Sequence, residues 1–268
     1  MGKYGKAIDI NYFELFTGYA LMLIPVLALW YYKTGLVKDT LIATARMTVQ
    51  LLLVGIYLEY IFKLNSIVVN IGWVVLMTVI ASYTIVNRSN LKFKLFFIPV
   101  VLSGIISIAI TDAYFLGFVV KLENVFDARY FIPVTGMLLG NTIKNVVIAL
   151  DAFYQRIDDE QNFYRWHLAN GATQKEALLP FMRDALKAAF NPMIATTAIM
   201  GLISLPGMMT GQILGGSNPN VAVKYQIMLL ITIFSSAVLN VVLTIYFSNR
   251  FAFDGFGNLR KDIFRKNS

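Results

Sequence analysis

Apolar residues gather along this chain into runs of roughly twenty, separated by short polar stretches and by one long polar interval past the middle. Runs of that length cross the ~30 Å hydrocarbon core of a bilayer, whereas a soluble domain breaks its apolar runs far sooner. Seven runs fit, at residues 13–32, 40–61, 66–86, 95–120, 131–150, 190–214 and 225–247. The pattern predicts an all-α, polytopic transmembrane bundle of about seven spans, a single domain over residues 1–268 in the cell membrane. Leu205-Pro206-Gly207 interrupts the sixth run. A Pro-Gly pair in a membrane helix is tolerated where protein or water satisfies the freed backbone groups, which predicts a break inside the protein.

Composition sharpens this reading. Hydrophobic residues make up 57% of the 268 and charged residues 14%, against about a quarter charged in soluble domains. The mean hydropathy is +0.65. A net charge of +8 could suggest nucleic acid, but the basic residues sit between apolar runs and at the C-terminus, where membrane proteins carry them. Lipid, and no nucleic acid, is therefore the expected surround. The absence of cysteine removes disulfides, thiolate metal sites and thiol redox chemistry. No cleavable signal peptide is expected, because the first run, from Phe13, is long enough to span.

Orientation follows from the basic residues. Fifteen of the 23 lysines and arginines fall in one alternate set of loops and six in the other, with Arg46 and Lys144 inside spans. The positive-inside rule then puts the N-terminus outside and the C-terminus in the cytoplasm, ends that an odd number of spans requires.

The long polar interval, residues 151–189, reads as a cytoplasmic helical insertion, and residues 248–268 as a basic cytoplasmic tail. Asn170-Gly171 stops one helix, and Thr173 with Glu176 makes a capping-box start for the next. A short helix would then return to the membrane through Pro180. Such a hairpin suits docking of a soluble partner, or is simply a solvated helical excursion. The chain contains no Gly-x4-Gly-Lys-[Ser/Thr], so any ATP-driven work needs nucleotide bound on another chain.

Ionisable groups inside spans cost about 2.5–3.5 kcal/mol each at mid-depth. Arg46 and Gln50 share one face of span two, and Arg46 could snorkel to headgroups. Glu59 and Asp112 fall near one depth and could bind a hard cation through oxygen, although Lys63 stands i+4 from Glu59 and would pair with it. Met200, Met208 and Met209 are potential thioether ligands or, more simply, gap-filling core. His167 is the only histidine, so a chelating cluster is excluded. Backbone carbonyls freed at the break, with the hydroxyls of Ser204 and Thr210, could line a water-accessible path. Gly207 and Gly211 have the small-x3-small spacing of a helix contact and suggest a homodimer.

The run Gly201-Leu202-Ile203-Ser204-Leu205-Pro206-Gly207-Met208-Met209-Thr210-Gly211-Gln212-Ile213-Leu214 resembles the signature of FetB-type permeases, a family of bacterial iron exporters and plant aluminium-tolerance permeases. Arg46 with Gln50-Leu51 and Gly55, Pro133 with Gly136 to Asn141, and Gly171-Ala172-Thr173 with Glu176-Ala177 extend the likeness over residues 40 to 230. The resemblance implies the permease subunit of an ABC transporter, two copies working with two separate ATPase subunits. It implies export of iron or another metal-related solute, with no cofactor and no enzymatic activity on this chain.

Under that resemblance Gly171, Ala172, Thr173, Glu176 and Ala177 form a coupling helix for the ATPase. The path and its break would involve Asn141, Ser204, Leu205, Pro206, Gly207, Met208, Met209, Thr210, Gly211 and Gln212, with Met137 opposite the methionines. Lys144, one helical turn beyond Asn141, would disfavour a bare cation. Two competitors remain: a metal-resistance permease moving a non-metal solute, and a secondary transporter working without ATP. The second would want paired broken helices in internal repeats, and one break without a repeat is found. An intramembrane enzyme would need a nucleophile–base pair or a metal cluster at depth, and the spans offer neither.

Overall fold

A computed structural model describes residues 11–203 and 205–265. Among these every regular element is a helix. A short α1 (Tyr12–Gly18) passes through a 3-10 turn (Tyr19–Met22) into α2 (Leu23–Tyr31). Then come α3 (Val37–Leu64), α4 (Ile67–Arg88) and α5 (Phe93–Asp112), which continues as a π-helical segment over Ala113–Val119. Next is α6 (Ala128–Asp159), followed by α7 (Gln161–Ala169), α8 (Gln174–Ala198), α9 (Gly207–Leu214) and α10 (Pro219–Ala252). Six segments are long and apolar enough to cross a membrane: Phe13–Tyr31, α3, α4, α5 with its π extension, α6 and α10.

The expected continuous span over residues 190–214 differs. It is divided between the end of α8 and α9, and the helix stops at Ala198, ahead of the Pro-Gly pair. Gly201 adopts a left-handed φ of +85°, and Leu202 and Ile203 both turn back to the carbonyl of Ile199. Glycine reaches this region without a Cβ clash, so Gly201 ends the helix and Pro206 opens the next. The break is also not interior to the chain: Leu202 and Ile203 are 88% and 79% exposed.

A second difference concerns α8. The expected short helix is instead a 25-residue one running through both Pro180 and Pro192. Ala177, Phe181, Ala185 and Ala189 recur every four residues on its buried face. Packing of that stripe on α6 outweighs two lost backbone hydrogen bonds.

In the bundle α5 and α10 make the most extensive seam, with α4 and α6 flanking it. Its residues are small and polar. Ser103 Oγ lies 2.6 Å from Thr244 Oγ1, which also bonds Asn240 Oδ1 at 3.0 Å. At Gly104 a Cβ would stand 2.9 Å from Thr78 Cγ2, so only glycine fits against α4. Lipid tails give apolar helices little reason to associate, and small residues with inter-helix hydrogen bonds supply the adhesion instead. By contrast, the apolar windows of the first two spanning segments bury nothing in the chain.

At the end of the bundle carrying α7, a core of Phe96, Phe153, Tyr154, Tyr164 and Phe181 is closed by residues 253–265. There Tyr164 donates to the carbonyl of Gly257 at 2.7 Å, Lys92 N–H to that of Ile263 at 2.7 Å, and Arg265 N–H to that of Asn90 at 2.8 Å. Residues 151–159 are thus the last turns of α6, and 248–252 those of α10.

Candidate translocation and coupling sites

The tip between α7 and α8 is built by local chemistry. Gly171, at φ +89°, donates to the carbonyl of Leu168 (3.0 Å), and Ala172 to that of His167 (3.1 Å). These are the bonds of a glycine-terminated helix. The capping box forms as the spacing predicts: Glu176 N–H donates to Thr173 Oγ1 at 3.4 Å and Thr173 N–H to Glu176 Oε2 at 2.8 Å. The backbone N–H of Thr173 holds the Glu176 carboxyl below its usual range. Gly171, Thr173 and Glu176 are exposed, Ala172 is half-buried and Ala177 is buried.

Behind the tip the hairpin is stiff. Arg156 of α6 pairs with Asp184 of α8, bonds Glu160 at 3.1 Å, and lies 5.7 Å over the Phe181 ring. Trp166 is 60% exposed, and Phe163 of the same helix and Leu179 of α8 are exposed too. None of the three belongs to a motif; the signal for Phe163 and Trp166 was a large aromatic in an otherwise polar interval, and Leu179 carried none. Burial pushes the Tyr164 hydroxyl up, and backbone N–H groups of the 254–258 turn hold Asp254 down.

Within the spanning part, Asn141, Lys144 and Asn145 share one face of α6 and line a cavity of about 260 Å³ with Met193, Thr196, Thr197 and Met200 of the α8 end. Asn141 donates to the carbonyl of Met137 (2.8 Å), and Asn145 Nδ2 to the sulfur of Met193 (3.4 Å). A separate cavity of about 300 Å³ at the other end is lined by Met137, Met208, Gln212, Arg129, Tyr130 and Tyr225, among others. The structure thus brings Met208 and Gln212 of the break motif together with Met137, while Met200 lies in the first cavity. Thr210 donates to the carbonyl of Pro206 at 3.3 Å. Leu205 is exposed, Met209 is half-buried, and Gly207 and Gly211 face open space. Ser204 lies outside the described residues.

The two carboxylates are not brought together. Glu59, 72% exposed at its side chain, pairs with Lys63 at 2.7 Å. Asp112 is 2% exposed. Its Oδ2 accepts from Thr135 Oγ1 at 2.6 Å, and its Oδ1 is buried without a partner. A largely apolar cavity of about 250 Å³ adjoins Asp112, and Glu59 does not line it. No group of three or more His, Cys, Asp or Glu side chains able to hold a metal occurs among the described residues.

Several known proteins resemble the chain along most of its length. It is 32% identical over 234 residues to "Probable iron export permease protein FetB" of Escherichia coli, covering 86% of this chain and 88% of that protein. It is 31% identical to "UPF0014 membrane protein YjkA" of Bacillus subtilis, covering 79% and 83%. It is 29% identical to "Protein ALUMINUM SENSITIVE 3" of Arabidopsis thaliana, covering 84% and 81%. No solved structure matches. The UPF0014 family, described as an uncharacterised protein family, matches residues 12–253, and with this coverage the chain is a multi-pass membrane protein that belongs to the UPF0014 family.

Proposed function

We propose that the chain is the membrane-spanning permease subunit of an ATP-driven ABC transporter that exports a metal ion or a metal-related solute. The observation that carries this reading is α8, one helix running from the exposed tip to the central cavity and the break. A rigid element joining a soluble-facing tip to a membrane cavity is what coupling of hydrolysis to transport requires. The relative named as an iron export permease supports the direction and the cargo. ATP hydrolysis belongs to a separate chain docked against Trp166, Phe163, Leu179 and the Gly171–Ala177 tip, which lie in the cytoplasm with the C-terminus. Two permeases and two ATPase subunits form the complex, with the exposed break covered by the second permease. A broken membrane helix facing lipid would leave backbone groups unsatisfied.

The test is ATP hydrolysis by the chain co-expressed with its candidate ATPase and reconstituted in lipid, across a panel of divalent metals, each supplied free and as its citrate complex. Hydrolysis that metal stimulates, and that Trp166→Ala lowers by about tenfold as loss of an interface aromatic does, is the expected result. An ATPase that neither co-purifies nor changes its rate in the presence of this chain would refute the reading.

A further inference from the structure

Lys144 sits in the apolar stretch of α6 and forms no ion pair among the described residues. A cation at depth normally reaches headgroups or a carboxylate. The geometry of α6 works against the first. Helical side chains lean toward their helix's N-terminus. Lys144 therefore leans away from the nearer membrane face, about 9 Å off where the apolar stretch ends near residue 150. Arg46, nine residues into α3, leans toward its nearer face and can reach it.

Among the described residues no carboxylate lines the cavity beside Lys144 either. The one within the middle of a span is Asp112, bonded to Thr135 in a different cavity. A second copy of the chain would bring no other. Beside Lys144, Asn145 is 6% exposed, and its amide donates to a thioether at 3.4 Å, a weak acceptor that a ligand oxygen would replace. Asn141 uses one amide hydrogen on Met137 and keeps a second. A positive charge and two amide donors thus converge on a cavity of about 260 Å³ between α6, α8 and α10.

We propose that this cavity binds an oxyanion group, a carboxylate or a phosphate, so that cargo passes as an anion or as an anionic metal complex and not as a bare cation. The identification of cargo rests on the permease reading; the site itself does not. Charge-assisted hydrogen bonds to a carboxylate or phosphate are roughly twice as strong as neutral ones, whereas a bare metal ion would meet like charge.

The test uses the full chain in lipid nanodiscs with its ATPase. Equilibrium retention of radiolabelled citrate, ferric citrate, inorganic phosphate and ferrous chloride is measured beside ATP hydrolysis. Saturable retention of at least one oxyanion probe is expected, weakened about tenfold by Lys144→Gln, kept by Lys144→Arg and untouched by Arg46→Gln. Retention of citrate alone assigns the site to free oxyanions; retention of ferric citrate only assigns it to the metal complex. Ferrous chloride held as well or better by Lys144→Gln, or no oxyanion probe retained, overturns the proposal. Lysine-dependent retention without stimulated hydrolysis would uphold the site and sink the ABC reading.

Discussion

Thr173 and Glu176 hold the first turn of α8 at its most exposed point. The Glu176 carboxyl is lowered by the Thr173 backbone N–H and then by its hydroxyl. A group with a depressed folded value contributes above its unfolded value, about 4.3 for glutamate. That contribution is lost as pH falls through the lower folded value. Glu176 is therefore expected to titrate below the ordinary glutamate value in a carbon-13 carboxyl titration. Thr173→Ala removes the cap, loosening the turn by about 1 kcal/mol, and should move Glu176 back up. Unchanged titration would show that the box does not hold in solution. This pair was legible in sequence because its bonds span three residues. The Tyr164–Gly257 and Thr135–Asp112 bonds were not, because their partners lie 93 and 23 positions apart and no local pattern announces them.

At the scale of elements, α5 and α6 could be read directly despite Pro99 and Pro133, whereas the run broken by a proline-glycine pair could not. Pro180 and Pro192 look like helix ends, yet the buried four-residue stripe from Ala177 to Ala189 carries α8 through both. The stripe was present in the sequence, but its partner surface on α6 was not. Glycine at 201, one of several nearby, gave no hint that it and Gly216 would turn left-handed while Gly207 and Gly211 would not. The short α9 presents Gly207 and Gly211 to open space, as a close helix contact between two copies needs. With no cysteine in the chain, Gly207→Cys introduces a unique thiol. Mild oxidation in native membranes is expected to convert it to a disulfide-linked dimer, while Thr34→Cys, in the exposed turn between α2 and α3, stays monomeric. Failure of both to crosslink would place the permease contact elsewhere.

Across the whole molecule, residues 253–265 tie together three parts distant in sequence: the α4–α5 connection, α7 and the end of α10. Lys92 and Asp262 add an ion pair at 3.7 Å. Deleting the chain from Phe253 onward is expected to leave membrane insertion intact and to expose Tyr164 and the core beneath it. Trypsin should then cut at Arg165 and Lys175 about tenfold faster, since cleavage follows the population of the opened state. An unchanged cutting rate would mean that the hairpin stands without the tail.

The length of α8 has a mechanical corollary. Phe190, buried against Phe234 of α10, divides the helix unequally, about 24 Å from the tip end and about 12 Å from the end at Ala198. A swing of about 10° around that point carries the tip ~4 Å one way and the far end ~2 Å the other. Such a lever gears a larger, softer displacement at the docking surface down to a shorter, more forceful one beside Met200 and the break.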